Sequence, residues 1–216
     1  FTEPGHYTVQ LVVRDQQGQQ VSKNYLQTVH LPVTTARPMN SSTIVYDSTL
    51  DRVWNVNPDN DSVTVIDAST SAIIGEYGVG DNPRTLTIGM DGSIWVANQD
   101  DATISVLNVI DGSLIQTITL AHGSAPYGIV HAPQSALNSA LIYVTLEATG
   151  ELIEISSQTG QVLRTVNVGS SPRGIAVTSD RQRILVTRFI SPSSIGEVTD
   201  VNATAFSVSS VIPLAK

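Results

Sequence analysis

Three residues in the sequence directly follow a proline that recurs at a steady interval: Arg84 after Pro83, Tyr127 after Pro126 and Arg173 after Pro172. Two guanidiniums brought to one place can grip a carboxylate or a phosphate through paired N–H donors. Asn57, Asn98, Arg188 and His122 stand in segments that would flank them, as do the acidic turns Asp59-Asn60-Asp61 and Gln99-Asp100-Asp101. The alternative for such residues is mutual pairing that keeps a surface soluble. Catalytic signatures are missing from the sequence: it has no G-x-S-x-G, no H-E-x-x-H and no phosphate-binding loop. Gly78-Val79-Gly80 lacks the third glycine of a dinucleotide site. No residue is assigned a catalytic role.

Metal chemistry has little support. Asp59-x-Asp61 does not continue into the spacing of a calcium loop, and Asp and Asn in a turn are there first for turn geometry. The histidines at 6, 30, 122 and 131 do not pair at ligand spacing. His131 falls on an inward-facing position and reads as a satisfied core histidine. With no cysteine there is no disulfide, thiolate site or haem attachment. The expectation is no metal and no cofactor.

Composition narrows the class. The 216 residues carry 11 basic and 19 acidic side chains, a formal charge of −8, and only 14% are charged. Mean hydropathy is slightly positive at +0.08, which excludes a disordered chain. Apolar runs are a few residues long, so no transmembrane segment is expected. An acidic chain with lysine only at Lys23 and Lys216 has no phosphate-neutralising patch, which argues against nucleic acid. The sequence holds 26 Val, 19 Ile and 22 Thr, residues that suit a pleated surface. Turn pairs punctuate it at Gln17-Gly18, Asp91-Gly92, Asp111-Gly112 and Thr159-Gly160. The chain reads as all-β.

One pattern recurs four times. Pro83 to Ile88, Ile94-Trp95-Val96-Ala97-Asn98, Thr103 to Asn108 and Leu114 to Leu120 form one copy. Others start at Pro38, Pro126 and Pro172, prolines spaced 45, 43 and 46 residues apart along the chain. Each copy holds short runs separated by turns, the signature of a four-stranded propeller blade. The expected blades are 38–82, 83–125, 126–171 and 172–216. Trp54, Trp95, Tyr143 and Leu185 share one column and are expected to fill the space between sheets. In the last copy the third run is hard to place between Ile190 and Val201, with Ser191-Pro192-Ser193-Ser194 resembling an insertion.

Tyr143-Val144-Thr145, Trp95-Val96-Ala97-Asn98, the Asp91-Gly92 turn and Val63-Thr64-Val65-Ile66-Asp67 resemble the YVTN family of β-propeller repeats over about residues 36–216. Residues 1–32 do not fit the repeat. Tyr7, Val9, Leu11 and Val13 alternate on one face of a β-hairpin. This stretch resembles the last two strands of a PKD-like, immunoglobulin-like sandwich domain. Residues 33–37 read as a linker to the propeller at 38–216. The expected architecture is therefore a partial β-propeller of about four four-stranded blades behind a β-sandwich-like hairpin.

YVTN-like propellers usually resemble seven-bladed rings, and an open arc of four exposes a blade face at each end. Three readings are open: a segment of a longer protein, which the truncated hairpin and the opening Phe1 favour, an assembly of arcs, or a closed four-bladed ring. Propeller geometry returns the second strand of a blade to the rim where the first begins. That rim would gather Arg84, Tyr127, Arg173, Asn57, Asn98, Arg188 and His122 on loops held by a rigid scaffold. The resulting expectation is a non-catalytic module, extracellular, at the cell surface or periplasmic in a bacterium or archaeon. It would bind a protein, glycan or small anionic ligand, with self-assembly open if the chain is complete. The alternative is the propeller portion of a larger redox or hydrolytic enzyme (haem-fused, quinone-dependent or lactonase-like) with its active-site residues elsewhere.

Overall fold

A computed structural model describes residues 5–29, 42–89, 91–132, 141–190 and 195–214, which divide into two compact units, Phe1–Pro38 and Met39–Lys216. The expected linker at 33–37 and the insertion at 191–194 lie outside the described residues. In the first unit β1 (Gly5–Arg14) pairs antiparallel with β2 (Gln20–Val29), from Gly5 opposite Val29 to Arg14 opposite Gln20. Asp15 Oδ1 fixes the turn by accepting from the N–H groups of Gln17 and Gln19, both at 2.9 Å. Val9, Leu11 and Val13 share a face and are 39, 53 and 60% exposed.

The second unit is built from four antiparallel four-stranded sheets. The first holds β3 (Ile44–Asp47), β4 (Arg52–Asn57), β5 (Ser62–Asp67) and β6 (Ile73–Gly78). The second holds β7 (Pro83–Ile88), β8 (Ser93–Asn98), β9 (Thr103–Asn108) and β10 (Leu114–Thr119). The third comprises β11 (Pro126–Ala132), β12 (Leu141–Leu146), β13 (Glu151–Ser156) and β14 (Val162–Asn167). The fourth comprises β15 (Pro172–Val177), β16 (Arg183–Arg188), β17 (Glu197–Asn202) and β18 (Ser207–Pro213). No helix occurs among the described residues, and therefore none long and apolar enough to cross a membrane. Each sheet keeps sequence order, and β3, β7, β11 and β15 pack against one another in succession. Among the described strands no substantial packing joins the fourth sheet to the first, so the blades form an arc and not a closed four-bladed ring.

Burial follows from period-two alternation between two neighbours. In β8, Ile94 and Val96 join Trp54, Val56, Val63 and Val65 of the first blade, while Trp95 and Ala97 join Ile129, Ile142 and Val144 of the third. A strand with a blade on each side has no solvent face, and all six residues of β8 are buried. Trp54, Trp95 and Tyr143 are 0, 1 and 2% exposed, as their column requires. Leu185 departs from that expectation and is only half-buried, because no described blade follows the fourth.

Outer strands protect their edges with a bulge at one repeated position. One residue is unpaired between consecutive rungs: Ile74 in β6, Ile115 in β10, Leu163 in β14 and Ser209 in β18. The Asp91-Gly92 and Asp111-Gly112 turns place glycine at φ of 77° and 71°, a left-handed backbone that glycine adopts without steric cost. The strand that sequence reading left unplaced is β17, which completes the fourth sheet.

Candidate functional site

In the second, third and fourth blades the repeat proline opens the inner strand and sets its register, whereas the first inner strand begins at Ile44 and Pro38 lies outside the described residues. Pro83 lies opposite Asn98, Pro126 opposite Leu146 and Pro172 opposite Arg188. The preceding residues, Asn82, Ala125 and Ser171, all adopt left-handed backbone, with φ of 56, 54 and 50°. In this conformation their carbonyls accept from the N–H groups of Gln99, Glu147 and Phe189 at 3.1, 2.9 and 2.8 Å. Those three residues each follow a second strand. The device is repeated blade by blade, and it sets the side chains at 99, 147 and 189 beside those at 84, 127 and 173.

A connected cluster results. Arg84 Nε donates to Gln99 Oε1 at 2.5 Å, and Gln99 Nε2 donates to Glu147 Oε2 at 2.6 Å. Glu147 Oε1 accepts from Arg173 Nε at 2.8 Å and lies 2.7 Å from Arg173 Nη2. The Cζ atoms of Arg84 and Arg173 are 5.4 and 4.8 Å from the centroid of the Tyr127 ring, within cation–π range. Arg173 also lies over Phe189, at 3.5 Å. Arg173 and Glu147 side chains are 28 and 15% exposed, so the pair is partly shielded and still open to solvent. Among the described residues, Glu147 is the carboxylate that contacts this arginine pair, which leaves one guanidinium uncompensated.

Other expected members are placed differently. Asn98 is fully buried, so it is not presented to a ligand. Its Nδ2 donates to Thr103 Oγ1 at 3.0 Å and Ser105 Oγ at 2.9 Å, tying β8 to β9. Asn57 serves the first blade in the same way, donating to Ser62 Oγ at 3.0 Å and Thr64 Oγ1 at 2.7 Å. Both asparagines brace the second and third strands of their own blade, and Asn57, unlike Asn98, is only half-buried. Arg188 Nη1 donates to Glu197 Oε2 at 2.5 Å, which compensates its charge. His122 is exposed in the loop before Pro126. In the acidic turns, Asp61 Oδ1 accepts from Asn82 N–H at 2.7 Å and Asp101 Oδ1 from Thr103 N–H at 3.1 Å.

His131 is half-buried, and its Nε2 has no protein partner among the described residues, unlike the satisfied core histidine the sequence suggests. Burial pushes its ionisation down, the Asp91 charge raises it and the Arg181 charge lowers it. Glu147 and Phe189 were missed from sequence. The column after the second run, Pro58, Gln99, Glu147 and Phe189, contains both.

Inner strands are joined across blades by threonine hydroxyls. Thr85 Oγ1 donates to the Tyr127 carbonyl at 2.5 Å and accepts from Ile129 N–H at 3.0 Å. Thr145 Oγ1 donates to the Arg173 carbonyl at 3.1 Å and accepts from Gly128 N–H at 2.8 Å. These bonds anchor the backbone of Tyr127 and Arg173.

Comparison with known proteins places the fold. No family model matches the chain, and no curated protein matches it in sequence. Among solved structures it is similar to hydrazine synthase of Kuenenia stuttgartiensis, at 21% identity and a TM-score of 0.72, over 88% of this chain and 53% of that one. It is also similar to virginiamycin B lyase from Staphylococcus aureus, at 15% identity and a TM-score of 0.62, over 97% of this chain and 74% of that one. A third is the Dos1 propeller, at 14% identity and a TM-score of 0.57, over 76% of this chain and 45% of that one. The chain is a β-propeller fold. It spans about half the length of the synthase chain it matches.

Proposed function

We propose that the blades act as a non-catalytic binding or scaffolding surface whose Arg84–Tyr127–Arg173 rim takes a carboxylate or phosphate group of its partner. The partner is a protein, a glycan or a small anion. One observation carries this reading: two guanidiniums from different blades converge on one tyrosine ring, with a single carboxylate between them. A chain of formal charge −8 repels anions at long range, so a local cationic spot gives selectivity for a ligand that docks there. In this reading the module is extracytoplasmic, its blades are of the YVTN type and its hairpin belongs to a PKD-like domain.

Citrate is a suitable probe. Calorimetric titration is expected to show binding to the native protein, and Arg84→Ala with Arg173→Ala is expected to weaken it about tenfold or more while the fold survives. Equal affinity in the folded double variant would contradict the proposal.

A second reading, the propeller portion of a larger redox or hydrolytic enzyme, draws support from two similar structures named as a synthase and a lyase. A visible absorption band in the protein isolated from its source would favour it, because a bound haem or quinone is coloured.

A further inference from the structure

Asn57 ends β4 and Asn98 ends β8, the same position in two successive blades. Both carboxamides donate to hydroxyls of the next strand, yet their oxygens are treated differently. Asn57 Oδ1 accepts from Asn55 Nδ2 at 3.0 Å. Two residues before Asn98 stands Val96, which has no side-chain donor, and Asn98 Oδ1 has no partner among the described residues. Asn98 is 0% exposed, so bulk water does not supply one. A bare acceptor in the interior is costly and calls for a partner that is built into the fold.

The same carboxamide lies against Gly80, in the crossover from the first blade to the second. A Cβ at Gly80 would overlap Asp101 Oδ2, Asn98 Nδ2 and Thr103 Oγ1, so the glycine lets three polar groups meet over its backbone. Asp101 Oδ1 is occupied, accepting from the Thr103 N–H at 3.1 Å and its hydroxyl at 2.8 Å. Its Oδ2 accepts from no donor among the described residues. The charge around this cradle has one sign. Asn82 holds Asp61 Oδ1 at 2.7 Å through its N–H and Asp100 Oδ1 at 3.1 Å through Nδ2, and the Asp100 N–H donates to the Asp81 carbonyl at 3.2 Å. Ion pairs among the described residues engage Glu147, Glu154, Glu197 and Asp200, and leave these four aspartates uncompensated.

We propose that a calcium ion seats between the Asp101 carboxylate and the Asn98 carboxamide, in the cradle that Gly80 leaves open. The donors are hard oxygens, and calcium accepts irregular coordination completed by carbonyls and waters. Magnesium demands near-ideal octahedral geometry, which a turn carboxylate beside a buried amide does not offer. Asn98 is closed to a ligand on the rim and meets only an ion lodged beneath its own turn. Among the described residues no three carboxylates or imidazoles converge at a metal position, so one carboxylate carries the contact charge and affinity is modest. The expectation of no metal rested on the calcium-loop spacing at Asp59-x-Asp61 and on histidine pairs, and neither test detects a site completed by a glycine of the preceding crossover. Bound there, the ion ties that crossover to the β8–β9 turn and relieves repulsion among the aspartates, so it stabilises the fold.

Equilibrium dialysis of the full chain against radiolabelled calcium in chelator-stripped buffer tests the site. One ion per chain is expected, with a Kd of about 0.1–1 mM. The urea midpoint is expected to rise with calcium and to rise less with magnesium at the same concentration. Asp101→Asn keeps the acceptor for Thr103, removes the charge, and is expected to weaken binding about tenfold. Asp111→Asn is the control. Asp111 Oδ1 accepts from the Ser113 N–H and hydroxyl in the same pattern, in the turn at the other end of β9, so its loss removes an equal charge and is expected to leave binding unchanged. Asn98→Asp puts a second carboxylate at the cradle and is expected to bind severalfold tighter; if that variant does not fold, the exposed Asp101 position still decides. Four results would overturn the proposal: no saturable binding up to about 10 mM calcium, native affinity in Asp101→Asn, an equal loss in Asp111→Asn, or a folded Asn98→Asp chain that binds no tighter.

Discussion

Glu147 sets how much positive charge the rim can offer. It neutralises Arg173 while accepting from Gln99, so its removal frees a guanidinium without disturbing the strand ends. Glu147→Gln is expected to tighten citrate binding severalfold and to lower folding stability by about 1 kcal/mol, the usual size for a partly exposed pair. Titration calorimetry and urea unfolding of the variant check both. Tyr143 governs the alkaline limit. Burial, reinforced by the Glu154 charge, pushes its phenol up to about 12. An unfolded phenol ionises at about 10, so above that pH the unfolded chain loses its proton first. Stability from this group is full below about pH 10 and is lost as pH rises toward about 12. Tyr143→Phe is expected to flatten that part of the pH–stability curve, read from urea midpoints at successive pH. Arg84, Tyr127 and Arg173 were legible in the sequence because a proline marks their register. Glu147 was not, because its role arises from a backbone bond between two blade corners that no single run displays. Asn98 was misread as a ligand contact because spacing cannot tell a rim residue from one buried beneath its own turn.

The elements are held by close approach of inner strands as much as by the cores between sheets. A Cβ at Gly128 would overlap the Arg173 carbonyl oxygen on β15, and backbone cannot move aside as a flexible side chain does. Gly128→Ala is therefore expected to cost about 2–4 kcal/mol by forcing β11 and β15 apart, measured as a fall in the urea midpoint. Trp95→Ala would open a cavity between the second and third blades, at a cost of about 3–5 kcal/mol, because the ring is 1% exposed and its Nε1 donates to Ser93 Oγ at 2.7 Å. Strand existence was legible from alternation and turn pairs. β17 was not, since the serines and proline before it interrupt the pattern and its buried residues, Thr199, Asp200 and Val201, include only one hydrocarbon side chain. The burial of Asp200 depends on Arg183, a partner that lies in a different strand.

At the scale of the whole molecule, the sequence period alone predicts blades, and three hydrophobic clusters between successive sheets are their consequence. The closed four-bladed ring was one reading of the same period. It fails because, among the described strands, no substantial packing joins the fourth blade to the first, a relation that depends on the angle between sheets and leaves no trace in repeat spacing. In the proposed function, the rim at the start of the inner strands is the binding face. Amide proton–nitrogen NMR spectra recorded during a citrate titration test it most directly. Shifts are expected to concentrate at Arg84, Gln99, Tyr127, Glu147 and Arg173 and to saturate together. Saturable shifts confined to the opposite ends of the blades, or no shifts at any citrate concentration, would contradict it.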